Sequence, residues 1–162
     1  MIRKLLMGLL APIALATPAL ATIQPGTGPL LQRVSEDYTV DINPKECNVR
    51  NIDGSFRPHE NLIVICTDPS GWDANDHDTV RHEVWHVIQH CTRLPGEYTL
   101  QPVIRTNPEW QNYVMSRLST ERYSWILENY PSDHWKAEME AFVMAEYLTS
   151  SQIEQLYVKA CQ

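Results

Sequence analysis

The chain has 162 residues, a formal net charge of −7, 43% hydrophobic and 20% charged residues, with five Trp and seven Tyr. That fits one folded domain with enough large rings for a core, and it argues against disorder. An acidic domain without a basic stripe repels phosphate backbones and anionic headgroups, so nucleic acid is excluded as a partner.

Residues 1–21 read as a signal peptide rather than as part of the fold. Arg3 and Lys4 give a positive start, Leu5 to Ala16 is apolar, and Ala19-Leu20-Ala21 is a small-x-small cleavage pattern. The apolar run is short for a membrane span and is interrupted by Pro12 and Pro18. Cleavage is expected after Ala21, with Ala14-Leu15-Ala16 as a second option and an uncleaved anchor as the alternative. Without Arg3 and Lys4, two fewer than the 13 basic residues of the whole chain, 11 remain against 20 acidic ones, a net charge near −9. The expected product is a secreted or periplasmic monomer with no membrane association after cleavage.

Four cysteines, Cys47, Cys66, Cys91 and Cys161, fall after the leader, and no CxxC spacing occurs. An even number in an oxidising compartment implies two disulfides. Of the three possible pairings, Cys47–Cys66 would tie a hairpin, and Cys91–Cys161 would tie the last helix to the end of the helix that carries the motif below.

Residues 22–46 read as an extended N-terminal arm with one short helix near Leu30 to Ser35, and 47–162 as the functional domain. Asn48 to Cys66 reads as a β-hairpin turning at Asp53-Gly54. Its second strand, Asn61 to Cys66, is rich in β-branched residues, and Asp68 to Gly71 stops it. Asp73, Asp76 and Asp78 precede a helix. They suit capping and the helix dipole better than a calcium loop, because the glycine and terminal glutamate of an EF-hand are missing. Thr79 to Cys91 is helical by its stripe of Val80, Val84, Val87, Ile88 and Cys91. Further helices are expected over about 108–118, 120–129, 132–149 and 151–160. A small β unit followed by helices is an α+β pattern.

His82-Glu83-Val84-Trp85-His86 is an HExxH motif. Two imidazoles one helical turn apart face the same way and can converge on one zinc ion, and the intervening Glu can reach a water on the metal without ligating it. With Val80 at zero, the apolar stripe centres at about 20° to 40° and the two His fall at about 200° and 240°, away from the core and toward a cleft. His90 lies about 12 Å along the axis from His82 and cannot join the same ion. His59 and His77 sit in loops. Glu138 is the preferred third ligand, because it shares a face with Trp135, Ala141, Phe142 and Ala145, where an unpaired carboxylate is costly. Glu140, about 200° around the helix, is the rival.

HExxH followed roughly fifty residues later by a helix bearing Glu138-Met139-Glu140-Ala141-Phe142 resembles the gluzincin zinc metallopeptidases, and in size the minigluzincins. The likeness covers residues 61–150; the chain lacks the third His of the metzincins and the Asn-Glu start found in larger thermolysin-like enzymes. The resemblance implies a zincin-like α+β fold, one zinc ion held by His82, His86 and Glu138, and Glu83 as general base in peptide-bond hydrolysis. It also implies that the strand Asn61 to Cys66 borders the cleft and pairs with an extended peptide or protein substrate. His134, Tyr130 and Tyr147 are candidates for steadying the oxyanion, His134 foremost. Trp85 and Trp135 read as core packing, and Arg81, Gln89 and His90 as a solvated helix face rather than groups orienting the ligands. The alternative function is a non-catalytic zincin-like zinc-binding module for a peptide or protein partner.

Overall fold

The computed structural model describes residues 26–50, 52–67 and 71–162. The expected signal peptide, its cleavage site and the strand stop at 68–70 lie outside the described residues. Among those described, no helix is long and apolar enough to cross a membrane.

The segment expected as an arm is built into the core from residue 28 onward. Helix α1, Gly28–Val34, starts with Pro29 in its first turn, where a missing N–H costs nothing. It buries Leu30, Leu31 and Val34 completely. Strand β1, Thr39–Ile42, follows, then a single turn, α2, at Cys47–Arg50. Strands β2, Gly54–Arg57, and β3, Leu62–Ile65, complete a three-stranded sheet of order β1-β3-β2, with β1 parallel and β2 antiparallel to β3. β3 is central, and Ile63, Val64 and Ile65 are all fully buried. That is why its sequence is a continuous apolar run rather than an alternation.

The hairpin exists, but its turn is not Asp53-Gly54. The chain reverses over 58–61, where Glu60 N–H donates to the Arg57 carbonyl at 3.1 Å and Asn61 takes φ 48°. Gly54 instead opens β2 against a helix. A Cβ there would lie 2.7 Å from Thr79 Cγ2 and 2.9 Å from Glu83 Oε1, so the absent side chain serves close approach.

That helix is α3, Ala74–Cys91. It begins earlier than the apolar stripe predicts, because Asp73 and Asp76 form a capping box: Asp76 N–H donates to Asp73 at 3.0 Å and Asp73 N–H to Asp76 at 2.8 Å. Asp78 pairs with Arg81. The three acidic residues thus serve the start of the helix, as expected. α3 is enclosed by β2 and β3, by α6 (Trp135–Tyr147) and by α7 (Ser150–Cys161). From Val80 to Gln89 every residue except Arg81 is buried.

The helix expected over 108–118 is α4, Asn107–Trp110, running into a π-turn at Gln111–Met115. With α5, Thr120–Asn129, it forms a second apolar cluster of Trp110, Val114, Ile126, Met139 and Val143. Cys47–Cys66 and Cys91–Cys161 are bonded in the expected pairing, with Cα–Cα distances of 5.5 and 5.3 Å. Tyr157 on α7 is fully buried and donates to Asp37 at 2.6 Å, tying the C-terminus to the turn between α1 and β1.

Candidate metal centre

His82 and His86 leave α3 on the side facing α6, where Glu138 stands in that helix's first turn. The three side chains are buried and converge. The two Nε2 atoms are 2.9 Å apart, and Glu138 Oε2 lies 3.3 Å from His82 Nε2 and 3.4 Å from His86 Nε2. Tetrahedral ligands about 2.0 to 2.1 Å from a zinc ion would be about 3.3 Å apart, close to this triangle. Glu138 Oε2 is buried without a hydrogen-bond donor among the described residues, as a ligand oxygen would be. The donor set and its spacing therefore fit a metal ion.

Charge explains why these groups tolerate burial together. Burial opposes ionisation of Glu138, yet His86 and His82 hold its carboxyl well below the usual carboxylate range. Burial lowers the proton affinity of His86, but the Glu138 charge outweighs it and raises its pKa to about 9. His82 moves down, through burial and the charge of His86. The cluster is a buried anion in need of one compensating cation, a proton or a metal ion.

Glu83 lines the same pocket. Burial pushes its carboxyl up to about 7, opposed by His86 and by a hydrogen bond from the Phe56 backbone N–H. A cleft of about 330 Å³ opens onto Glu83 and all three candidate ligands. Its rim is β2, through Gly54, Ser55 and Phe56. The expectation that residues 61–66 border the cleft is therefore corrected. β3 is paired on both edges, so it has no free edge to offer; β2 holds that position.

His134 precedes α6 and lines the cleft with its side chain 37% exposed. Tyr130 lines it as well, and burial raises its pKa. Tyr147 is half exposed against Arg117 and does not line the cleft. His77 bonds Thr27 Oγ1 at 2.7 Å, and His90 packs edge-on to Phe56. Neither belongs to the cluster.

Two residues play parts the sequence reading did not give them. Gln89, expected on a solvated face, is fully buried. Its Oε1 lies 2.7 Å from His86 Nδ1, and its Nε2 donates to the Ala137 carbonyl at 2.9 Å and to Glu140 at 3.0 Å. Accepting from Nδ1–H leaves Nε2 of His86 as the nitrogen available to a metal ion. Glu140, the rival ligand, points away from the cluster and is fully buried. It accepts from Trp85 Nε1 at 3.0 Å, Gln89 at 3.0 Å, Val103 N at 2.8 Å and Ile104 N at 2.9 Å. The available signal was spacing: Gln89 is three residues past His86, and a second Glu on an apolar helix demands partners. Among the described residues His82 Nδ1 has no such partner; its ring is packed on Phe142 at 4.3 Å between centroids.

Fold and site together define an α+β protein with a small mixed sheet and a buried two-histidine, one-carboxylate group able to hold a metal ion. The chain belongs to the family described as Domain of unknown function (DUF8637), which matches residues 27–162 and so takes in α1 and β1 with the rest. No curated protein and no solved structure matches it.

Proposed function

We propose that this chain is an exported zinc-dependent peptidase of zincin-like fold, with His82, His86 and Glu138 holding one zinc ion. The observation that carries the reading is the meeting of the HExxH imidazoles with a carboxylate from a second helix, beside Glu83 and open to one cleft. Three protein ligands of this kind with an open side are the donor set of catalytic zinc. The ion would supply Lewis-acid polarisation of a carbonyl and of a water molecule.

The chain's own groups supply the rest. Glu83, with a proton affinity near neutrality, accepts a proton from water and returns it to the departing amine. Tyr130 stays protonated because it is buried, and with His134 it offers hydrogen bonds to a developing oxyanion. β2 has one strand partner among the described residues, so an extended peptide can add to its other edge. Two disulfides agree with an oxidising destination, secreted or periplasmic.

The test begins with metal analysis: one zinc per chain is expected, and iron in its place would remove the zinc assignment. Glu83→Gln should keep the zinc and the fold but lose cleavage of a mixed peptide library. Cleavage at the parent rate by that variant would end the reading.

A further inference from the structure

The cleft is lopsided in charge. Its acidic lining residues are Glu83 and Glu138, which a divalent ion would balance; its basic ones include His59 and Arg93. Most guanidiniums near an acid are committed: Arg57 to Glu46, Arg81 to Asp78, Arg105 to Glu97. Arg93 is different. Among the described residues no carboxylate forms an ion pair with it, and its contacts are long ones to His90: Nε to the carbonyl at 3.3 Å and Nη2 to Nε2 at 3.4 Å. Glu97 feels its charge but is held by Arg105 and the Leu94 N–H.

Two elements bring a basic side chain to the same end of the cleft. α3 points there, and Arg93 lies seven residues beyond His86, roughly 10 Å along the axis. β2 runs the same way: Gly54 abuts Thr79 and Glu83, Phe56 packs on His90 at 5.6 Å, and the turn then presents His59. Arg93 Nη2 lies 3.4 Å from His90 Nε2, and Arg93 and His59 both line the cleft. Phe56 and Pro58 give this end apolar walls.

We infer that this end of the cleft is a carboxylate subsite, in which Arg93, with His59 beside it, receives an acidic group of a bound peptide. At about 3.3 Å per residue the acidic group sits about three residues from the metal centre. An unpaired guanidinium in an acidic protein is a fork suited to a carboxylate, and the surrounding negative charge rejects stray anions that lack a peptide's other contacts. The inference rests on the cleft binding peptide, as proposed above, but not on cleavage.

The test uses the Glu83→Gln protein and fluorescein-labelled nonapeptides of Ala, Ser and Leu, read by anisotropy. One set carries a single Glu, Gln or Lys stepped through the positions, with an amidated C-terminus. A second set has no charged side chain and a free C-terminal carboxylate. We expect one Glu position to bind about fivefold tighter than its Gln counterpart. If the free-terminus set gains instead, the carboxylate recognised is the chain end. Arg93→Lys should keep the preference; Arg93→Glu should reverse it toward Lys, with an unchanged circular dichroism spectrum. Equal affinities, no measurable binding, or a Glu preference that survives Arg93→Glu would overturn the subsite. Charge-selective binding with no cleavage by the parent protein would leave the subsite standing and remove the peptidase. Cleavage blind to charge would do the reverse.

Discussion

Gln89 Oε1 stands 2.7 Å from His86 Nδ1, and the same amide donates to Glu140 at 3.0 Å. A candidate ligand imidazole on α3 is thereby fixed to a buried carboxylate of α6, and through it to the backbone N–H groups of Val103 and Ile104. One amide sets the ring's tautomer and ties three segments together. Replacing Gln89 with Leu keeps the volume and removes both functions. Metal affinity should fall about 10- to 100-fold, measured by competition with a chromogenic chelator, while the helical circular dichroism signal is retained. Unaltered affinity would mean that the ring is held by packing alone.

Gly54→Ala tests the contact between β2 and Glu83, the proposed base. The new Cβ would meet Thr79 Cγ2 at 2.7 Å and Glu83 Cγ at 2.9 Å. Something must shift, at a cost of about 1 to 3 kcal/mol. Zinc content should be unchanged because no ligand is touched. The proposed peptide hydrolysis should fall about tenfold or more as the Glu83 carboxyl is displaced. Full activity with a full melting temperature would show that the strand yields and the base does not.

The two disulfides should differ in weight. Cys91–Cys161 closes 70 residues and Cys47–Cys66 only 19. On loop-closure entropy these contribute about 4 and about 3 kcal/mol. Paired Ser substitutions, followed by urea denaturation, should show the larger loss for the long loop. A larger loss for the short loop would mean that order at the hairpin, not chain entropy, dominates.

Acid stability should depend on Tyr157. Hydrogen bonds from Tyr157 and Gln162 hold the Asp37 carboxyl below its ordinary value. A depressed folded value favours the ionised form in the native state. Its stabilisation is therefore present above the unfolded value of about 3.9 and lost as pH falls through the lower folded value. The parent protein should melt higher than Tyr157→Phe at pH 7, and the gap should narrow as pH drops below about 4. A gap constant with pH would assign the hydroxyl no role toward Asp37.

Local chemistry was legible in the residues: the HExxH face, the α+β order and a capping role for the acids before α3 follow from spacing and turn formers, whereas the disulfide pairing was a preference among three that the fold bears out. Glu138 could be singled out because a carboxylate on an apolar face needs a cation, which is a local argument about burial. Strand order was not legible. Nothing in residues 22–46 announces that Thr39–Ile42 pairs parallel with Leu62–Ile65, since parallel partners are matched by long-range packing and not by a turn. For the same reason β2, not β3, holds the free edge at the cleft, and Gly54, which reads as a turn residue, marks a close helix contact. Gln89 and Glu140 looked solvent-facing or rival because a helix wheel knows one neighbour at most. α3 is covered by the sheet and two helices at once, and only that enclosure decides which of its polar groups are buried and what they must bond.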